Sequence, residues 1–264
     1  MRDRVSNKTA LVTGATSGIG LELSKILATN DYKLVLVARD EQRLSSLVAD
    51  LLKNRDLSPE VFATDLSVPS NAEKLYDQLR QHGIEIDLLV NNAGFGLTGA
   101  FTETELRREL EMIQLNIVSL VVLTKFVVRE MLQRKKGRIL NVASTAAFQP
   151  GPFMAIYYAS KTFVLSFSEA LAEELKDTGV TITALCPGPT ATDFSRRAGV
   201  QKSKLFASGV FPVMSARTVA EIGYRGLIQG RRVVIPGLMN RIAVQAVRLS
   251  PRRMVTQLTR FLNR

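Results

Sequence analysis

The sequence predicts an α/β fold: a doubly wound parallel sheet of about seven strands in a single domain with a C-terminal helical extension. Three observations predict it. Strand-like and helix-like patterns alternate along the chain with few long loops, the order that lays a parallel sheet between two helical layers. Several strand segments are continuous apolar runs, as required of strands covered on both faces. A glycine-rich turn directly follows the first strand. At 264 residues, 46% hydrophobic and 22% charged, the chain can bury one large core, so a single domain is the natural count.

In chain order, strands are expected over Thr9–Thr13, Lys33–Ala38, Glu60–Ala63, Asp87–Asn91, Arg138–Val142, Val180–Cys186 and Arg232–Ile235. The helix after the glycine turn is expected to begin at Leu21. Amphipathic helices fill the other gaps, and Glu103–Gln133 and Phe153–Asp177 are the longest and least polar. Right-handed crossovers then wind the chain to both sides of the sheet. Past Pro236-Gly237, Met254, Val255, Leu258, Phe261 and Leu262 recur at helical spacing among arginines, which predicts a basic amphipathic tail over 238–264.

Composition excludes several classes. With one cysteine, Cys186, neither an intrachain disulfide nor a thiolate metal cluster can form, and no metal is expected. Cys186 reads as a small buried side chain in a strand. The single histidine, His82, falls at the end of a polar helix as a capping or solvent-facing group, which speaks against a Ser-His-Asp hydrolase. No apolar stretch of about 7–15 residues follows the charged N-terminus, so a cytoplasmic protein is expected. The apolar run Asn116–Val128 falls short of the ~20 residues of a membrane span and reads as a buried helix or subunit interface. Of the net charge of +11, +8 comes from Arg231–Arg264, which holds eight arginines and no lysine, aspartate or glutamate. The rest is close to balanced, which argues against nucleic-acid binding and for a local basic surface.

At Gly14-Ala15-Thr16-Ser17-Gly18-Ile19-Gly20, glycines let the backbone turn tightly and let a pyrophosphate approach a helix N-terminus, where free N–H groups and the helix dipole favour an anion. The spacing Gly-x-x-x-Gly-x-Gly differs from the broader Gly-x-Gly-x-x-Gly fingerprint, but its place after the first strand is that of a Rossmann-like dinucleotide site. An acidic residue ending the second strand would bind ribose hydroxyls. Here the strand ends in Ala38-Arg39, and a guanidinium there can pair with the 2′-phosphate of NADP(H), with Arg43 a turn further on as an aid and Asp40 as a counter-signal.

Tyr157 and Lys161 lie four apart on a predicted helix, so both point the same way. An ammonium beside a phenol lowers the phenol's pKa. Moving a tyrosine from its usual ~10 to neutrality takes roughly 4 kcal/mol of preferential phenolate stabilisation, for which Lys161 and a positive nicotinamide ring are suitable sources. Tyr157 can then exchange a proton with a substrate oxygen. Ser144, thirteen residues upstream, follows the strand Arg138–Val142, and Asn91-Asn92-Ala93-Gly94 ends another strand at the same carboxyl edge.

Together, Thr13-Gly14-x-x-x-Gly18-x-Gly20, Asp65, Asn91-Asn92-Ala93-Gly94, Asn116, Ser144, Tyr157-x-x-x-Lys161 and Pro187-Gly188 followed by Thr192 resemble the short-chain dehydrogenase/reductase family over about residues 7–236. The resemblance implies a dinucleotide-binding catalytic domain over 1–237, with a substrate lobe at about 190–215. It implies Tyr157 as general acid/base, Ser144 as ligand of the carbonyl oxygen, Lys161 as ribose ligand and phenol tuner, and Asn116 as holder of a proton-relay water. Asp65 would contact adenine, Asn92 would brace the adjoining strand and Thr192 would meet the carboxamide. Thr16, Ser17, Ile19, Leu66, Ala93, Gly94, Pro187, Gly188 and Thr190 complete the expected cofactor contacts. Tyr158 is the rival phenol, set aside by the register.

The lobe carries Phe194, Leu205, Phe206, Val210, Phe211 and Met214, and Phe95, Leu97, Phe148, Phe153 and Met154 flank the catalytic motifs, which suggests an apolar substrate. NADPH-dependent reduction of a hydrophobic ketone, acyl, lipid or steroid-like, is the expected reaction. The alternatives are a 3-oxoacyl-thioester reductase served by an acidic carrier protein, and a non-catalytic NADP-binding regulator. A homodimer or homotetramer is expected. For the tail, peripheral membrane contact through 238–264 stands beside packing on the body.

Overall fold

A computed structural model describes residues 8–53, 58–201, 203–204 and 212–263. Leu205, Phe206, Val210, Phe211, Arg264 and the first seven residues lie outside them. Seven parallel strands form the main sheet: β1 (Thr9–Thr13), β2 (Lys33–Ala38), β3 (Glu60–Ala63), β4 (Leu88–Asn91), β5 (Gly137–Val142), β6 (Val180–Leu185) and β9 (Val233–Val234), ordered β3-β2-β1-β4-β5-β6-β9. Each expected strand is present, shifted by at most a residue or two at an end. The order reverses between β1 and β4, and the crevice that opens there, at the carboxyl ends of the strands, is where such sheets bind ligands.

Helices α1 (Gly18–Thr29), α2 (Glu41–Leu52) and α8 (Ala216–Ile228) cover one face, where Leu23, Leu27, Leu36, Leu44, Leu140 and Leu227 form the core. On the other face, α3 (Asn71–Gln81) and α5 (Ser119–Gln133) bury Leu75, Leu79, Leu123 and Val127 against Leu11, Leu89 and Ile139. The helix α6 (Ala155–Glu174) packs beside them. A buried chain of amides ties these layers together: Asn91 donates to Thr124 Oγ1 and to Asn141 Oδ1 (2.9 Å each), and Asn141 donates to Ser168 Oγ at 2.9 Å. Paired polar groups of this kind specify one register where apolar contacts alone would tolerate several.

Three elements differ from expectation. The first helix starts at Gly18, not Leu21, so two of the glycines belong to its first turn. The helix expected from Glu103 begins at Leu106 as α4 (Leu106–Ile113) and widens into a π-turn over Gln114–Val118 before continuing as α5. That continuous run of 28 residues is long and apolar enough to cross a bilayer by length and composition, which its apolar centre alone was not. Here it lies on the sheet, with Leu123, Val127 and Met131 fully buried. The third difference is a two-stranded sheet that pairs β7 (Thr190–Ala191) with β8 (Met214–Ser215), with the short helix α7 (Phe194–Arg197) following β7.

Two helices end the chain, α9 (Leu238–Leu249) and α10 (Arg252–Leu262). Their inner faces pack on the body through Asn240, Val244, Val255, Thr259 and Asn263. His82 caps the end of α3, with its ring near Glu60. Cys186, one residue past β6, is fully buried, and burial pushes its thiol up to about 12.

Candidate active site

The crevice is a cleft of about 500 Å³ that runs from the glycine turn to the lobe. At its floor Gly14 and Gly18 hold positive φ of 65° and 55°. A Cβ on Gly20 would lie 2.3 Å from both Asn92 Nδ2 and Gly14 O, so the crossing of helix and strand requires glycine there. Thr13 Oγ1 donates to Val90 O and accepts from Asn92 N and Ala93 N, while Asn92 Nδ2 donates to the carbonyls of Thr13 and Gly14. Thr13 and Gly20 thus shape the turn from behind, whereas Gly14, Thr16, Ser17, Gly18 and Ile19 line the cleft. Ser17, the residue before α1, makes no capping hydrogen bond, and no acidic side chain stands in that first turn. The open N-terminus therefore fits a pyrophosphate.

Ala38 and Arg39 also line the cleft, with the guanidinium largely exposed and its Nη1 3.9 Å from Asp65 Oδ2. Asp40 is turned away from that task. Its carboxylate accepts from Arg43 N at 3.0 Å as the cap of α2 and pairs with the Arg43 side chain at 3.4 Å. Arg43 also lies 3.8 Å from Asp193 and does not line the cleft, so the aid expected from it is not what the geometry gives. Asp65 holds Ser67 through its N–H and its hydroxyl, and Leu66 beside it gives its carbonyl to Ser119 Oγ.

Beyond β4 and β5 the reactive side chains converge. Ser144 Oγ accepts from Ala146 N at 3.1 Å and faces the Tyr157 phenol, whose pKa it lowers. Burial outweighs that pull and drives the phenol well above its ordinary value. Lys161 Nζ donates to Val142 O at 2.8 Å and stands 6.0 Å from the centre of the Tyr157 ring. Buried among apolar groups, the ammonium drops from 10.5 to about 8. Of the two sources expected to acidify Tyr157, Lys161 and a nicotinamide ring, the lysine here gives its ammonium to a strand carbonyl. Asn116, on the π-turn, is buried behind the cleft: Oδ1 accepts from Phe95 N, and Nδ2 donates to Phe95 O and Ser160 Oγ. A Cβ on Gly94 would lie 2.9 Å from Asn116 Oδ1 and 3.5 Å from Lys161 Nζ, so glycine lets these groups close on the strand end.

Tyr158 has another employment, since its buried hydroxyl donates to Asn263 Oδ1 at 3.1 Å. Asn263 Nδ2 in turn donates to Pro152 O at 2.9 Å. Nothing local in the sequence signals this contact, because the partners lie 105 and 111 residues apart. At the other end of the tail, a Cβ on Gly188 would lie 2.4 Å from Asn240 Oδ1, so α9 leans on the Pro187-Gly188 segment. Thr190 Oγ1 donates to Gly188 O, and Thr192, which lines the cleft, approaches Gly18 closely enough that a Cβ there would lie 2.9 Å from its methyl.

The outer wall is apolar. Phe95, Met154, Phe194 and Val200 line it, and the Phe194 ring lies 5.3 Å from that of Tyr157. Arg108, missed in the sequence, sets its guanidinium 5.0 Å from the Phe95 ring and also lines the cleft. Four apolar candidates sit elsewhere. Leu97 packs behind the wall, Phe148 packs near Leu120 and Cys186, Met214 joins the core under the sheet, and Phe153 carries Arg260 near its ring at 5.9 Å. Apolarity called for burial without choosing the side. Among the described residues, no group of three or more His, Cys, Asp or Glu side chains is placed to hold a metal ion.

A fold wound around a nucleotide crevice, with a serine, a phenol and an ammonium at its floor, defines a class of oxidoreductase. The model of the short chain dehydrogenases matches residues 8–203, and the chain belongs to the short-chain dehydrogenase/reductase family, whose members bind a nicotinamide cofactor and act on CH–OH and C=O groups. It is 34% identical to an uncharacterized oxidoreductase of Staphylococcus saprophyticus, over 72% of this chain and 82% of that one. It is 35% identical to a very-long-chain 3-oxoacyl-CoA reductase of Anas platyrhynchos, over 71% of this chain and 61% of the duck protein. A short-chain dehydrogenase of Sphingobium yanoikuyae in complex with NADPH superposes with a TM-score of 0.80 at 32% identity, covering 92% of this chain and 94% of that one. A bulky-bulky ketone specific alcohol dehydrogenase of Comamonas testosteroni superposes at 0.77 with 29% identity, over 93% and 95% of the two chains.

Proposed function

We propose that the protein is an NADPH-dependent carbonyl reductase for a bulky apolar ketone, acyl, lipid or steroid-like. The observation that carries the reading is the Tyr157 phenol, which faces Ser144 beneath an apolar wall. A phenol carries its proton at neutral pH, so in the reductive direction it can give that proton to a carbonyl oxygen. When bound, the nicotinamide supplies the hydride to the carbonyl carbon. Ser144, oriented by Ala146 N, holds the carbonyl oxygen in reach of Tyr157. Lys161 would hold the cofactor ribose, Asn116 would fix the strand end beneath it, and the turn from Gly14 to Ile19 would hold the pyrophosphate. Preference for NADPH is supported by Arg39, which lines the cleft while Asp40 is engaged as a helix cap.

The test is steady-state turnover with NADPH and NADH on free bulky ketones and on 3-oxoacyl thioesters. NADPH-dependent reduction of free ketones is expected, and Arg39→Ala should raise KM for NADPH by about 10–100-fold, the worth of a charge-assisted contact, while leaving NADH unaffected. A clear NADH preference refutes the Arg39 argument. Activity confined to carrier-bound thioesters favours the 3-oxoacyl reductase, and binding without turnover on any substrate favours a regulator.

A further inference from the structure

We propose that α9 and α10 form a docking surface for an anionic lipid bilayer. Each helix has three faces. The inner one is packed on the body through Val244 and Asn240 in α9 and through Val255 and Thr259 in α10. The outer one is apolar and exposed. On α9, Leu238, Ile242 and Leu249 fall at i, i+4 and i+11, with Leu238 71% and Leu249 88% exposed. On α10, Met254, Leu258 and Phe261 fall at i, i+4 and i+7, with the first two 63% and 60% exposed. Soluble surfaces rarely leave whole helical stripes of large apolar side chains in water. The third face is cationic: Arg241 and Arg248 flank the first stripe and Arg253 and Arg260 the second, with Arg252 exposed at the start of α10.

The charge selects the occupant. The tail has no acidic residue from Arg231 onward. Among its described arginines only Arg232 pairs with a carboxylate, Glu173; Arg241 donates to Ile235 O, and Arg248 and Arg260 lie over the Phe148 and Phe153 rings, contacts that leave their positive charges uncancelled. A second copy docked through this face about a two-fold axis would set arginine against arginine. An anionic bilayer meets both needs, because apolar side chains enter the acyl boundary while arginines reach phosphates. The placement also serves the cleft, since Asn263, just past α10, hydrogen-bonds Tyr158, which lines the cleft, and the carbonyl of Pro152. This inference stands apart from the substrate reading, because it concerns where the protein sits.

Flotation of the full chain with vesicles decides it, comparing phosphatidylcholine alone with phosphatidylcholine mixed with phosphatidylglycerol. Binding is expected on the anionic vesicles only, and added salt should weaken it. Leu249→Asp/Leu258→Asp should lower the partition at least about tenfold, because a charge then enters the acyl boundary. Arg252→Gln/Arg253→Gln should lower it by more than about tenfold, at roughly fivefold per arginine. These side chains are exposed, so solution turnover should be unchanged. Failure to float with anionic vesicles overturns the proposal, as does equal binding by both variants. A halved molecular mass of the Asp variant without vesicle binding assigns the face to a second copy, and capture of an acidic carrier protein in place of vesicles assigns it to that partner; either result also overturns it.

Discussion

Removing the active-site ammonium should make the cofactor-free protein more stable. In Lys161→Met the stem stays and the charge goes. The fall of Lys161 from 10.5 to about 8 is equivalent to about 3 kcal/mol of unfavourable charge burial at neutral pH. Against that stands the carbonyl of Val142, which loses a donor at 2.8 Å, at a cost of about 1–2 kcal/mol. A net gain of about 1–2 kcal/mol near pH 7 follows. The pH dependence separates this account from mere repacking. Near pH 7 the lysine is charged in folded and unfolded chains alike, so wild type bears the whole penalty. Between pH 8 and 10.5 the folded chain releases its proton first, so wild type gains stability as pH rises and the penalty shrinks to about 1 kcal/mol near pH 10. Tyr157 titrates in both proteins and cancels in the difference, whereas the Cys186 thiol loses the downward pull of the Lys161 charge in the variant. Urea unfolding of both proteins at the two pH values measures it. A variant less stable than wild type near pH 7, or a difference that ignores pH, refutes the reasoning. Turnover of the variant should fall about 10²–10⁴-fold, so the residue would exchange stability for activity.

The two adjacent tyrosines should separate cleanly. Tyr157→Phe is expected to lower kcat at least about 10³-fold with cofactor binding retained by fluorescence titration, whereas Tyr158→Phe should keep kcat within about tenfold and lose about 1–2 kcal/mol in urea unfolding, because Asn263 loses its donor. Gly94→Ala places a carbon 2.9 Å from Asn116 Oδ1; a loss of about 1–3 kcal/mol with a fall in kcat larger than any change in KM is expected, and unchanged kinetics would contradict the packing described at that strand end. Asn263→Ala strips the Tyr158 hydroxyl and the Pro152 carbonyl of their partner, so a loss of about 1–3 kcal/mol is expected, with KM for bulky ketones rising while kcat for small ones holds.

The sheet was legible because its strands are continuous apolar runs that need no partner to be read. Lys33–Ala38 is seen whole in both sequence and structure. Motif residues could be brought to one edge because a parallel sheet puts all its strand ends there. Other features had no local signature. The two-residue strands β7 and β8 are too short to show a period. Asn240 and Asn263 are polar residues in a basic tail, and only folding reveals that their amides meet Gly188 and Tyr158. The spacing of Tyr157 and Lys161 puts both on one face of α6, but the direction of the ammonium is decided by Val142 on β5. For the same reason, Phe148 and Phe153 could be expected near the cleft yet pack away from it.

The π-turn over Gln114–Val118 has a consequence for editing this gene. A turn closed from i to i+5 holds one residue more than a regular helix would. A single-codon deletion there would give a straighter rod with a better hydrogen-bond ladder, and would also turn everything on one side of it by about 100° relative to the other. Asn116 would then leave Phe95 and Ser160, or Leu123 and Val127 would leave the sheet. The extra residue acts as a phase shifter that lets one long helix serve two faces.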